Sequence, residues 1–240
     1  MKIIADTHTH TVASGHAYGT IMENMSIARR KGLRIVANTD HTGILPGAPC
    51  DNFFSCQTNL PDIIDGVFLL RGCEVNILNN FGELDLPTSI LSKLEWVVAS
   101  MHKESMTAGS ADYITEAWLN VIKNPLIDVL GHMGDERFKC DYEAVVKACK
   151  EAGKLIEINS HSFSARAKSD INCREIALLC MRYKTPIVVN SDAHSSFQVG
   201  EFSDALSMLE QIEFPEELIL NADFQRFTTY VSRKCGRSFR

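Results

Sequence analysis

The chain has 240 residues and a formal net charge of −6, and 45% of its residues are hydrophobic and 22% charged. This composition is typical of a globular domain, and the acidic balance argues against a dedicated nucleic-acid surface, which is usually basic. No apolar run approaches the roughly 20 residues that a membrane-spanning helix needs, and the start of the chain lacks the features of a signal peptide. We therefore expect a cytoplasmic protein in which residues 1–240 form a single domain.

Seven short apolar runs follow one another along the chain, each with the length and β-branched content of a buried parallel strand. They lie at residues 3–5, 35–37, 68–70, 97–99, 127–130, 155–158 and 187–189. Segments with helical spacing of apolar residues separate them, at residues 20–30, 111–122, 141–152 and 172–183. Asp141 can cap the third helix and Gly153 can end it. The alternation of strands and helices predicts crossover connections and a parallel sheet.

The number of these units and the length of the chain favour a single α/β barrel of the TIM type with seven strands. An open, doubly wound sheet is the alternative, but its functional loops would lie mainly at one switch point. Here polar side chains follow nearly every strand. Residues 43–65 would form the longest irregular loop near the carboxyl ends of the strands, and residues 214–240 would be helices that close the barrel.

The eight cysteines contain no CxxC pair, and several of them lie in apolar strand or helix contexts. We therefore interpret them as reduced thiols that pack in the core. Cys73 precedes Glu74, and neighbouring side chains in a strand point to opposite faces. For this reason we do not expect Cys73 to be a metal ligand.

Seven of the eight histidines follow the predicted strands directly. The sharpest motif is Asp6-Thr7-His8-Thr9-His10, in which alternate residues share one face of a strand. His8 and His10 could therefore bind one metal ion, with Asp6 as a further ligand or as a carboxylate that holds the ligands in place. The other candidate ligands are His16, His41, Glu74, His102, His132, Asp192 and His194.

Nine candidate ligands exceed the needs of a single ion, because zinc takes about four. We therefore expect two or three divalent transition metals. A carboxylate that bridges neighbouring ions would limit their repulsion, and Glu74, the only acid at the end of the third strand, is the natural choice. Imidazole and carboxylate ligands suit zinc, manganese or iron, of which zinc is our first expectation.

These residues together resemble the complete motif set of the PHP (polymerase and histidinol phosphatase) superfamily, and the chain is most similar to its small stand-alone phosphatases of the YcdX type. The motifs are Asp6-Thr-His8-Thr-His10, Thr39-Asp40-His41, Glu74, His102, His132 and Asp192-Ala-His194. The resemblance implies a distorted (β/α)7 barrel with a trinuclear metal centre and phosphoesterase activity, without fixing the substrate. It also implies three ligand sets, which are His8, His10, Glu74 and Asp192 for one metal, Glu74, His102 and His132 for a second, and His16, His41 and His194 for a third.

The predicted reaction is the hydrolysis of a phosphate monoester by a metal-bound hydroxide, formed because the metal lowers the pKa of its water towards about 7. His161 follows the sixth strand and is not one of the expected ligands. It would either protonate the leaving group or form hydrogen bonds at the rim. Arg166 is our first candidate to bind the phosphate, since guanidinium groups match phosphate geometry.

Two other classes of function stay open at this point. Similar ligands could serve an amidohydrolase-like enzyme that cleaves amides or lactones at a dinuclear centre, often bridged by a modified lysine. A metal-stabilised module without catalytic activity is the third class. Glu74 and the surplus of ligands favour a metal-dependent phosphatase that acts on a small phosphorylated molecule, and a homo-oligomer is compatible with the sequence.

Overall fold

A computed structural model describes residues 1–239 of the chain. Its strands are β1 (Ala5–Thr9), β2 (Ile35–Asn38), β3 (Ile63–Ile64), β4 (Val67–Asn76), β5 (Trp96–Ser100), β6 (Val129–Leu130), β7 (Leu155–Asn159) and β8 (Ile187–Asn190). The short strand β3 pairs with β4 in the antiparallel direction, and the other seven strands are parallel in the order β1-β2-β4-β5-β6-β7-β8. The predicted α/β barrel with seven parallel strands is confirmed.

The barrel closes between β1 and β8 through side chains as well as through backbone pairing. The two edges meet at an isolated backbone bridge between Thr9 and Ala193. Farther down, the Asn221 side chain accepts the Val189 N–H at 3.0 Å and donates to the carbonyls of Ala5 at 2.8 Å and Val189 at 2.7 Å. Asn221 therefore satisfies backbone groups of both edge strands where a continuous ladder would otherwise do so.

Nine helices surround the strands within the described residues: α1 (Ile21–Arg30), α2 (Asp51–Ser55), α3 (Thr88–Leu91), α4 (Ala111–Ile122), α5 (Tyr142–Ala152), α6 (Ser162–Ala165), α7 (Ser169–Tyr183), α8 (Ser203–Gln211) and α9 (Phe224–Cys235). The four predicted helices correspond to α1, α4, α5 and α7. Asp141 caps α5 by accepting the Ala144 N–H at 3.0 Å, and Gly153 ends the helix at φ 67°. None of the described helices is long and apolar enough to cross a membrane.

One hydrophobic core lies on each side of the barrel wall. The outer core packs the strands against the helices and includes Cys73, while the inner core fills the barrel and contains Trp96 and Val98. Phe227 of α9 closes the inner core from the amino ends of the strands, with its ring centroid 5.3 Å from that of Trp96. The predicted closing role of the C-terminal segment is therefore confirmed for α9.

The structure corrects several predicted boundaries. The first strand is Ala5–Thr9 and not residues 3–5, because its buried polar side chains find partners inside the protein and need not be apolar. β4 extends to Asn76, so Glu74 lies within the strand and not after it. Residues 43–65 are not one irregular loop, since they contain α2, the 3₁₀ turn Cys56–Asn59 and β3.

All eight cysteines are unpaired thiols, as predicted. Five of them, Cys73, Cys140, Cys149, Cys173 and Cys180, are buried, whereas the prediction that the cysteines pack in the core is wrong for the exposed Cys50 and Cys56 and for the half-buried Cys235. Burial raises the pKa of the Cys140 and Cys173 thiols to about 12, so these groups stay protonated and behave as small apolar core residues.

Candidate metal centre

All nine side chains that the sequence predicts as ligands meet at the carboxyl ends of the barrel strands. The centre of the group is the Glu74 carboxylate, which is fully buried and surrounded by imidazole rings. Its two oxygens face different rings, so that one carboxylate contacts two sets of nitrogen atoms. Oε2 lies 3.3 Å from His8, 3.5 Å from His10 and 2.7 Å from His41, and Oε1 lies 3.4 Å from His102 and 2.8 Å from His132.

Asp192 supplies the second buried carboxylate. Its Oδ1 lies 3.2 Å from His10 Nε2 and 3.6 Å from His8 Nε2, so Asp192 and Glu74 approach the same two imidazoles. Asp192 and His132 have positive backbone φ angles of 54° and 30°. Left-handed backbone at a non-glycine residue stores strain, and such strain is concentrated at functional sites.

His16 and His194 form the outer edge of the cluster, and their Nε2 atoms lie 3.1 Å apart. Each ring places its Nδ1 against a backbone carbonyl, His16 against Ser14 at 3.1 Å and His194 against Asp192 at 2.9 Å. Because a carbonyl only accepts hydrogen bonds, both Nδ1 atoms donate and both Nε2 atoms are left with a lone pair. Two lone pairs that face each other at this distance favour a cation between them.

Other buried atoms of the cluster also fit a metal ion. His8 Nε2, His10 Nε2, His41 Nδ1 and Glu74 Oε2 are buried and have no hydrogen-bond partner among the described residues, although buried polar atoms normally do. Three groups have all their donor atoms within 4.8 Å of one another: His10, His41 and His194; His8, His10 and Glu74; and His41, Glu74 and His102. This nitrogen and oxygen donor set suits zinc, manganese or iron.

These three groups contain six of the nine predicted ligands and omit His16, His132 and Asp192, so they overlap with the ligand sets that the family resemblance implies without being identical to them. His41 lies close to Glu74 as well as to His194, and His10 belongs to two groups. The clusters therefore indicate metal sites, while the number of ions and the assignment of each ligand to one ion stay predictions.

Burial and neighbouring charges together set the pKa values of the clustered side chains. Burial alone would raise the pKa of the Glu74 carboxyl, but the imidazoles of His8 and His41 hold that pKa well below its usual range. Burial lowers the pKa of His10 and of His102 well below the ordinary histidine value, so both rings are neutral and able to bind a metal.

His8 differs from its neighbours in the direction of its shift. Burial opposes the charged form, but the carboxylates of Glu157, Glu74 and Asp192 raise the pKa of His8 well above its usual value. A metal that binds His8 Nε2 must displace a proton, so metal binding and proton release are coupled.

Two acids of the sequence motifs support the site without joining the metal-ligand groups. Asp6 accepts the N–H of Ser191 at 3.2 Å and the N–H of Gly200 at 2.8 Å, and it therefore fixes the loop that carries Asp192. Burial raises the pKa of Asp6 to about 6. Asp40 accepts hydrogen bonds from Thr11 and Ser14.

Sequence reasoning missed Glu157 in β7. Its side chain is buried, and its Oε1 lies 2.7 Å from His8 Nδ1. The one available signal was an acidic residue inside the apolar run at 155–158, since a buried carboxylate requires partners.

A cavity of about 620 Å³ opens above the cluster. Arg166 lies in its wall, with Nη1 donating to Ser162 Oγ at 2.8 Å and Nη2 lying 3.3 Å from Asp192 Oδ2. His161 is half-buried in the same wall, and its ring centroid is 6.1 Å from that of His194. The lining residues are His16, His41, Leu45, Pro46, His102, Lys103, Glu104, Arg137, His161, Ala165, Arg166 and His194.

Proteins with similar sequences are described as probable phosphatases. No protein-family model matches the chain. The chain is 43% identical over 234 residues to a "probable phosphatase" of Clostridium botulinum (strain Hall). This alignment covers 98% of this chain and 96% of that protein. It is 42% identical over 237 residues to a "probable phosphatase" of Acetivibrio thermocellus, with 99% and 98% covered.

Among solved structures, the chain is similar to the histidinol phosphate phosphatase of Lactococcus lactis, which was determined with zinc, L-histidinol and phosphate. The TM-score is 0.61 with 16% sequence identity, and the match covers 88% of this chain and 94% of that chain. At this identity the likeness shows a shared barrel fold.

Proposed function

The chain belongs to the family of probable phosphatases that it matches over nearly its whole length, and we propose that it hydrolyses phosphate monoesters at a trinuclear metal centre, as a stand-alone PHP phosphatase of the YcdX type. The observation that carries this proposal is the position of Glu74. One oxygen of this carboxylate faces His8, His10 and His41, and the other faces His102 and His132. A carboxylate in this position is suited to bridge metal ions.

The nine predicted ligands would hold two or three divalent metals, with zinc as the first expectation and manganese or iron as alternatives. Bound metals would supply a hydroxide from water near neutral pH and would neutralise charge on the phosphate oxygens. The ionised carboxylates of Glu74 and Asp192 would balance part of the metal charge, and the neutral rings of His10 and His102 would each offer a lone pair.

Arg166 would bind the phosphate group of the substrate. Its guanidinium is fixed by Ser162 and by Asp192, which is itself a proposed metal ligand. This places a fixed positive charge in the cavity wall beside the metal ligands. Guanidinium groups bind two phosphate oxygens at once, and this geometry would orient the ester for attack.

His161 would assist departure of the alcohol. It lies in the cavity wall near His194 and is not one of the nine predicted ligands, so its ring is available to the substrate. A half-buried imidazole in that position could donate a proton to the leaving oxygen. The cavity volume of about 620 Å³ suits a small phosphorylated molecule.

The test is a metal-dependent activity screen of the purified protein. We expect hydrolysis of phosphate monoesters, inhibition by inorganic phosphate, and loss of activity with a chelator that is reversed by zinc, manganese or iron. The same preparation is assayed on phosphodiesters, amides and lactones, with elemental analysis of each sample. Activity on amides or lactones without any on phosphoesters would assign the protein to the amidohydrolase-like class instead.

A matched variant connects the activity to this site and excludes a contaminating phosphatase. His10→Ala removes a ring that belongs to two of the donor groups. We expect the variant, purified in parallel, to lose the phosphatase activity together with bound metal. Wild-type activity in this variant would contradict the proposed site.

A further inference from the structure

Glu157 uses both of its oxygens for contacts on opposite sides of the proposed metal centre. Oε1 accepts the Nδ1–H of His8 at 2.7 Å and the side-chain amide of Asn190 at 2.8 Å. Oε2 accepts the backbone N–H of His132 at 2.7 Å and the side-chain amide of Asn159 at 3.1 Å. Four donors therefore converge on one buried carboxylate, which leaves it a single orientation.

These contacts join parts of the site that are far apart in the sequence. His8 lies in β1 and faces Glu74 Oε2, while His132 follows β6 and faces Glu74 Oε1. Asn159 also donates to Asp192 Oδ2 at 3.1 Å. Glu157 is thus in contact with ligands on both sides of the Glu74 carboxylate.

We propose that Glu157 is a positioning residue that sets the geometry of two proposed metal sites together, by fixing the ring of His8 and the backbone of His132. This inference rests on the proposed metal centre. An ionised carboxylate only accepts hydrogen bonds, so it requires the proton of His8 to be on Nδ1 and leaves the Nε2 lone pair for a metal. With its other oxygen, Glu157 accepts the backbone N–H of His132, a residue whose backbone φ is 30°.

The substitution Glu157→Gln tests this role with almost no change in volume. If the amide oxygen faces His8, the amide NH₂ faces the His132 N–H and the Asn159 amide, so that donors meet donors. If the amide is reversed, its NH₂ faces His8 Nδ1, which must then accept, and the ring proton moves to Nε2, the nitrogen needed by the metal. Either orientation weakens metal binding.

The experiment measures zinc affinity of the metal-free full-length protein by competition with a chromophoric chelator. We expect Glu157→Gln to bind zinc about 10- to 100-fold more weakly than the wild type, the usual effect of losing a carboxylate behind a ligand histidine. The effect should extend to more than one zinc per chain, because both sides of Glu74 are held by Glu157. Unchanged affinity, or weakening of one zinc alone, would overturn the proposal.

Asp128→Asn is the matched control. Asp128 is also a buried carboxylate, but it precedes β6 at the opposite end of the barrel, where it accepts the Val97 N–H and pairs with Lys234. This substitution should lower the unfolding midpoint and leave zinc affinity at the wild-type value. If Asp128→Asn weakened zinc binding as much as Glu157→Gln, a general structural effect would replace positioning as the explanation.

A second variant keeps the test decisive if Glu157→Gln does not fold. Glu157→Asp preserves the charge but withdraws the carboxylate by one methylene, so we expect a folded protein with weaker zinc binding. Wild-type zinc affinity in Glu157→Asp would contradict the positioning role. Failure of the wild type itself to bind zinc, manganese or iron would instead overturn the proposed metal centre and this inference with it.

Discussion

The Nε2 atoms of His16 and His194 lie 3.1 Å apart although the two residues are 178 positions apart in the sequence. Each ring donates its Nδ1 proton to a backbone carbonyl, so in the neutral rings neither Nε2 carries a proton to share with the other. Burial, and the charges that His41 and His194 would carry, lower the pKa of His16, which further disfavours a protonated pair. The contact is best explained as one edge of a metal site.

We predict that His194→Gln loses about one metal ion per chain while the other sites stay filled. The wild type, purified without chelator, should contain two or three ions, because nine candidate ligands converge. Elemental analysis of both proteins measures the difference. His161→Gln, which changes a nearby ring outside the donor groups, serves as the control and should keep full metal content. A wild-type stoichiometry near zero or one would refute the multinuclear centre.

A second prediction concerns Glu74 as a bridge. Glu74→Gln keeps the shape of the side chain but removes the charge that both sets of imidazoles face. We expect metal content to fall at more than one site and turnover to drop by orders of magnitude, as measured by elemental analysis and steady-state kinetics. Glu95→Gln changes another buried carboxylate, which binds Arg237 at the far end of the barrel, and should leave both quantities unchanged. Full metal content and normal turnover in Glu74→Gln would exclude bridging.

The parts of this molecule that follow local rules could be predicted from the sequence. The helix 111–122 agrees with α4 because its apolar spacing is continuous and Ser110 caps it. The convergence of the candidate ligands could also be predicted, because the carboxyl ends of parallel strands meet at one face of a barrel. His41 and Glu74 follow this rule as predicted ligands from neighbouring strands, although the family resemblance implies separate ligand sets for them, and they lie 2.7 Å apart.

The parts that depend on distant partners could not be predicted. Glu157 contacts His8 across 149 residues of sequence, and no local pattern announces that pairing. The predicted first strand, at residues 3–5, ends too early because Asp6 and Thr7 are polar, although both are fully buried. Their partners lie far along the chain, where Asp6 accepts the Ser191 N–H and Thr7 donates its own N–H to Asn190 Oδ1.

A third prediction concerns the barrel closure at Asn221. Asn221→Ala removes three hydrogen bonds and leaves buried backbone groups of Ala5 and Val189 without partners. Because each of the three unsatisfied buried groups costs about 1–3 kcal/mol, we expect a loss of at least about 3 kcal/mol in the free energy of unfolding. Urea denaturation of the metal-free protein measures it. Asn59→Ala, at an exposed position, should change stability by less than about 0.5 kcal/mol. Equal midpoints for the two variants would show that Asn221 does not hold the closure.

The fourth prediction concerns the pH dependence of catalysis through His161. Burial lowers the pKa of His161 below its ordinary value of 6.5, an effect that the nearby Asp192 carboxylate partly opposes. A general acid works only in its protonated form, so its contribution is present below this pKa and is lost as pH rises through it. For a substrate with an alkyl leaving group, we therefore expect kcat/KM to fall as the pH rises, with the midpoint of this fall below pH 6.5.

His161→Gln should lack that limb, with activity at low pH reduced by about 10²- to 10⁴-fold. The profile is recorded between about pH 5 and 8, the range in which histidines titrate. An ester of p-nitrophenol provides the control, because this leaving group departs without a proton and should make the two proteins nearly equal. If the variant instead gave a parallel profile at a lower level for both substrates, His161 would be a residue of the cavity rim that binds the substrate and transfers no proton.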